Sequence, residues 1–142
     1  MTDTLVCDTS AVLAALDAAD PDHDACTGVL AGSSARLLMS PLVLAELDHL
    51  VRTRLGTDAA RILAEDVAGG AYDLAPLSGP DIAACVAVDR TYADLGIGLA
   101  DASLVVLAER VPTRTLFTLD ERHFRVVRPQ QGGAFHLLPA DG

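Results

Sequence analysis

The stretch Leu5-Val6-Cys7-Asp8-Thr9-Ser10-Ala11-Val12-Leu13 constrains the chain most. Three apolar, β-favouring residues stop at an aspartate, two hydroxyl residues follow, and the pattern resumes as Ala/Leu-rich helix. This is a short buried strand running directly into a helix, with a carboxylate at the strand's carboxyl end. In open parallel sheets, ligands bind outside the carboxyl ends of the strands. Asp8 therefore stands where chemistry is usually done, although Asp8, Thr9 or Ser10 also suits a simple helix cap. Whether other carboxylates arrive at matching places decides between the two.

The rest of the chain alternates helices with apolar strands. Asp22 is placed to cap a second helix through Leu30. Arg36–Met39 reads as a strand, and Ser40-Pro41 starts a helix to about Arg54, closed by Gly56. Thr57 opens another helix to Val67, and Tyr72-Asp73-Leu74 is a strand. Ser78-Gly79-Pro80-Asp81 begins a helix to about Tyr92. The glycine-spaced Asp94-Leu95-Gly96-Ile97-Gly98 precedes a helix from Leu99 to Arg110. Strands follow at 115–118 and 134–138. Strands without polar alternation point to a parallel sheet covered on both faces, within one α/β domain spanning residues 1–142.

Composition narrows the function. The net charge is −10 and every one of the ten bases is arginine. Such a chain is not drawn to nucleic acid as a whole, and aromatics at 4% leave few platforms for base stacking. An enzyme that uses carboxylates to hold a cation, with arginines touching phosphate, remains compatible. Cys7, Cys26 and Cys85 are odd in number, with no C-x-x-C pair, which predicts three buried free thiols in a reducing compartment. The acidic Met1-Thr2-Asp3-Thr4 is unlike a signal peptide, and no apolar run is long enough to span a bilayer. A cytoplasmic location is expected, without membrane association.

Three further acids recur in settings like that of Asp8. Glu46 lies beside the apolar face formed by Val43, Leu47, Leu50 and Val51, where it serves as a cleft-rim carboxylate or a solvated boundary residue. Asp101 occupies the first turn of a very apolar helix, where the helix dipole stabilises its charge. Asp120 ends a strand as Asp8 does, or caps the turn Glu121-Arg122-His123-Phe124. If the four converge, their repulsion raises their pKa values. A hard divalent cation, Mg²⁺ or Mn²⁺, resolves it. No cysteine or histidine spacing suggests zinc.

Val6-Cys7-Asp8-Thr9-Ser10-Ala11, the glutamate within Ser40-Pro41-Leu42-Val43-Leu44-Ala45-Glu46, Leu99-Ala100-Asp101-Ala102, and Leu116-Phe117-Thr118-Leu119-Asp120-Glu121-Arg122-His123-Phe124 resemble the four acidic motifs of the PIN domain, in that family's order. The likeness is to the VapC-type toxins of bacterial toxin–antitoxin pairs. It implies a three-layer α/β/α fold with a central five-stranded parallel sheet, and Mg²⁺- or Mn²⁺-dependent cleavage of RNA. Asp8, Glu46, Asp101 and Asp120 take the acidic roles. Asp8 and Asp101 are the expected direct metal ligands, with Glu46 and Asp120 acting directly or through water. Thr9 or Ser10 is expected to contact a bound water. Asp94, just before the third motif, is a further candidate, and Arg122 and His123 are candidates for RNA phosphate.

The resemblance, with the acidic surface, also implies a homodimer and a cognate antitoxin that inserts a basic residue into the carboxylate cleft. Two other functions stay open. A phosphoacceptor or phosphatase would use Asp8 as nucleophile, but it lacks the lysine of receiver domains and has Ser10 where such phosphatases place a second acid. An inactive PIN-like interaction domain would have little reason to keep four acids.

Overall fold

The computed structural model describes residues 3–142; Met1 and Thr2 of the acidic N-terminus lie outside the described residues. Five strands form one all-parallel sheet, in the order β3-β2-β1-β4-β5. They are β1 (Thr4–Cys7), β2 (Arg36–Met39), β3 (Asp73–Leu74), β4 (Thr115–Phe117) and β5 (His136–Leu138). The helices are α1 (Thr9–Leu16), α2 (His23–Ala31), α3 (Pro41–Leu55), α4 (Thr57–Ala68), α5 (Gly79–Thr91), α6 (Gly98–Arg110) and the single turn α7 (Glu121–Phe124).

β1 is central because both of its faces are apolar. Leu5, Val6 and Cys7 are buried, as are Leu38, Met39, Leu116 and Phe117 on the strands beside it. β3, at an edge, has both residues exposed. α6 packs against β1, α5 and α3, and its residues Ala102 to Ala108 are all buried. A helix apolar on every side belongs inside a domain. The five-stranded all-parallel sheet is the one that the resemblance implies.

Local signals set most element ends. Ser40 caps α3 by accepting from the Leu42 N–H at 3.1 Å, with Pro41 at the first helical position. Ser78 and Asp81 form a reciprocal capping box at α5. Asp22 precedes α2 as expected, but its side chain makes no cap bond; its backbone N–H instead bonds Asp20 Oδ1 in the preceding turn. The strands are shorter than the apolar pattern suggests: β4 ends one residue early, at Phe117, and β5 begins only at His136 and ends at Leu138 as expected. Before α6 the chain passes through Gly96 (φ 61°) and Gly98 (φ 78°), a left-handed pair open to glycine, which buries Ile97 between them. All three cysteines are buried and free.

A candidate active site at the carboxyl end of the sheet

Parallel pairing brings the ends of β1 and β4 side by side. Cys7 is in register with Phe117, and the Asp8 N–H continues the ladder to the Phe117 carbonyl at 2.9 Å. The next residue on each strand, Asp8 and Thr118, therefore emerges at the same edge.

Asp8 is only 5% exposed. Its Oδ1 accepts from the Thr9 N–H (2.8 Å), and its Oδ2 accepts from the hydroxyls of Thr118 (2.6 Å) and Ser10 (3.2 Å). Burial raises the Asp8 pKa, these bonds oppose the rise, and the nearby charge of Asp120 adds to it. Ser10 Oγ also accepts from the Leu119 N–H (3.0 Å), and Thr118 Oγ1 from the Asp120 N–H (3.0 Å). Two hydroxyls thus tie the start of α1 to the segment leading into α7. Of the two expected hydroxyl residues, Ser10 is in this network, while the buried Thr9 Oγ1 has no partner among the described residues.

Asp101 and Asp120 meet at one imidazole. His123 Nδ1 lies 3.0 Å from Asp101 Oδ2 and 2.9 Å from Asp120 Oδ2. Asp120 also caps α7, its Oδ1 accepting from the His123 N–H at 3.0 Å. Burial and then the charges of Asp8 and Asp120 push the Asp101 carboxyl up to about 7, against the lowering bond from His123. Three acids thus share one electrostatic neighbourhood, with the His123 imidazole between two of them. One ligand atom each from Asp101, Asp120 and His123 lie within 4.8 Å of one another, a spacing and donor set that suit a divalent cation.

Glu46, Asp94 and Arg122 are exposed. Glu46 makes no hydrogen bond or ion pair among the described residues, and it contributes to neither the Asp8 nor the Asp101 shift. α3 is nevertheless fixed relative to α6, since the buried Ser40 and Ser103 hydroxyls are 2.8 Å apart. Asp94 sits on a 3₁₀ turn (Ala93–Leu95). His123, expected to face RNA phosphate, instead turns its Nδ1 into the carboxylate cluster. Thr118 and Ser103 were not anticipated. Thr118 reads as one more β-branched strand residue, and Ser103 as a polar interruption of an apolar helix.

A PIN domain model matches residues 5–129 of the chain. The chain belongs to the PIN domain family. Ribonuclease VapC26 of Mycobacterium tuberculosis is 47% identical to this PIN domain over 135 residues, covering 95% of this chain and 100% of that one. Two solved structures share its fold at low identity. The crystal structure of Mycobacterium tuberculosis VapC20, described as a sarcin–ricin loop cleaving toxin, matches with a TM-score of 0.77 at 17% identity, over 82% of this chain and 90% of the other. VapBC2 from Rickettsia felis, bound to a DNA fragment from its promoter, matches with a TM-score of 0.66 at 16% identity, over 94% and 96%. In this PIN domain, Asp8 Oδ2 already accepts from two hydroxyls, which does not favour a phosphoacceptor role.

Proposed function

We propose that this PIN domain is an endoribonuclease, the toxin of a toxin–antitoxin pair, dependent on Mg²⁺ or Mn²⁺. The observation that carries the reading is the gathering of Asp8, Asp101 and Asp120 at one sheet edge, in a chain nearly half identical to a ribonuclease over 95% of its length.

When bound, the cation supplies Lewis-acid polarisation of a phosphate oxygen and a more acidic attacking water. Asp101 and Asp120 hold it. Asp8 forms the floor: a carboxylate offers about four acceptor sites, so Oδ1, with one bond made, keeps capacity toward the cation. Ser10 and Thr118 keep that carboxylate oriented. Glu46 acts from α3 through water, the buried Thr9 hydroxyl beside Asp8 serves a bound water, and the exposed Asp94 and Arg122 stand at the periphery, with Arg122 placed to meet RNA phosphate. Because the cleft is anionic, a basic side chain from an antitoxin satisfies it as a cation does and blocks phosphate. The acidic surface suits such a partner, with the toxin a cytoplasmic homodimer. Among the described residues no helix is long and apolar enough to cross a membrane.

The test is cleavage of a structured RNA by the purified protein with Mg²⁺ or Mn²⁺, with and without EDTA, beside a mass measurement after acetyl phosphate treatment. Metal-restored cleavage without added phosphate mass is expected. EDTA-resistant cleavage removes the metal from the mechanism, and phosphorylated Asp8 without RNA cleavage returns the phosphoacceptor reading.

A further inference from the structure

The most unusual feature of the site is its nitrogen atom. His123 is held from both sides. Its own N–H bonds Asp120 Oδ1, and the next residue, Phe124, is 2% exposed and stacks edge-on against Phe135 at 6.1 Å. α7 is thereby pinned to the core, and the imidazole has little freedom to leave the two carboxylates.

The distances it makes have two meanings. At 3.0 and 2.9 Å from Asp101 Oδ2 and Asp120 Oδ2, Nδ1 is placed as a hydrogen-bond donor. In an octahedral shell with bonds of about 2.1 Å, neighbouring ligand atoms are also separated by about 3 Å. A cation can therefore take the place of the Nδ1 proton with the three ligand atoms close to where they already stand. The ring proton then resides on Nε2, the usual arrangement for a ligating histidine.

Building on the metal-nuclease reading, we propose that His123 Nδ1 is itself a ligand of the divalent cation, beside Asp101 and Asp120, and sets the preference of the site for Mn²⁺ over Mg²⁺. An all-oxygen site suits Mg²⁺, whereas an imidazole nitrogen moves affinity toward the transition ions. The acids recruit a divalent cation, and the histidine chooses among them.

The experiment uses the full chain freed of metal. Mn²⁺ and Mg²⁺ are titrated separately by calorimetry into the wild type, His123→Gln and Asp101→Asn, each checked by circular dichroism. Pulsed electron paramagnetic resonance of the Mn²⁺-loaded protein then reads nitrogen modulation directly. The wild type should show a ¹⁴N coupling that changes on ¹⁵N-histidine labelling and vanishes in His123→Gln. Mn²⁺ affinity should fall at least about tenfold in that variant, while Mg²⁺ affinity changes less than about threefold. Mn²⁺ bound without nitrogen coupling, or equal losses for both ions, overturns the role of His123. If Asp101→Asn still abolishes binding in that case, the metal-nuclease reading stands. A wild type that binds neither ion ends both. Should His123→Gln fail to fold, the labelled wild type alone decides.

Discussion

Two sets of acids in this molecule face opposite electrostatics. On the surface, Asp141 is held by Arg125 and by the Leu137 N–H, and its carboxyl lies well below the usual range. Asp81 accepts from the Ser78 N–H and pairs with Arg110, which hold it down to about 2. At the sheet edge, Asp8 is buried and Asp101 half-buried near Asp120, and both are pushed up, Asp101 to about 7. Arginine staples the periphery, and the cleft receives a histidine. The surface acids have arginine beside them, whereas the carboxylates of the cleft have none among the described residues.

The contrast is broken most severely at Asp101. Asp101→Asn should reduce RNA cleavage by at least on the order of 10²-fold, the scale of losing a group that organises transition-state charge. The same change should leave the metal-free protein as stable at neutral pH or more so, because it removes a crowded buried charge. Cleavage assays beside thermal unfolding in EDTA check both. An equally active Asp101→Asn would show that the cleft acids are not the site.

Thr118→Val keeps the shape and removes the donor to Asp8. We expect a loss of about 1–3 kcal/mol for leaving that buried carboxylate short of a partner, measured by urea unfolding.

The sign of the pH dependence separates the two sets next. Asp101 has a folded pKa above its unfolded value, so between about 4 and 7 the folded state binds more protons and stability falls as pH rises. Asp81 and Asp141 have lowered values, so their contribution is present above about 4 and is lost as pH falls through the folded value. Thermal midpoints in EDTA from pH 3 to 8 should decline across the upper window, and Mn²⁺ should reverse that decline. Asp101→Asn should flatten it.

The smallest effect is expected at the surface. Arg125→Gln removes the partner of both Glu121 and Asp141 but should leave the thermal midpoint almost unchanged, because these pairs are solvent-screened. RNA cleavage should be unchanged.

The five strands, and the places of three acids at strand ends and a helix start, are legible because such positions are written in local patterns; the strand order is not. Asp8 and Asp120 each follow an apolar run, and Asp101 opens a helix apolar on all sides. The hydroxyl network was not legible. Thr118 is chemically ordinary until pairing sets it beside Asp8, 110 positions away. The direction of His123 was hidden for a similar reason, since a one-turn helix has too few residues to show a periodic face. Glu46 shows the limit of helical-wheel reasoning: it fixes the side of α3 but not whether an exposed carboxylate reaches the cleft.

The 110-position span between Asp8 and Thr118 has a consequence for the timing of synthesis. β1, which leads into Asp8, is made well before β4 and α7, which supply Thr118, Asp120 and His123. A chain released before β4 therefore lacks Thr118, Asp120 and His123 and cannot form the bonds that they make to Asp8 and Asp101. The cluster can assemble only after α7 has been made.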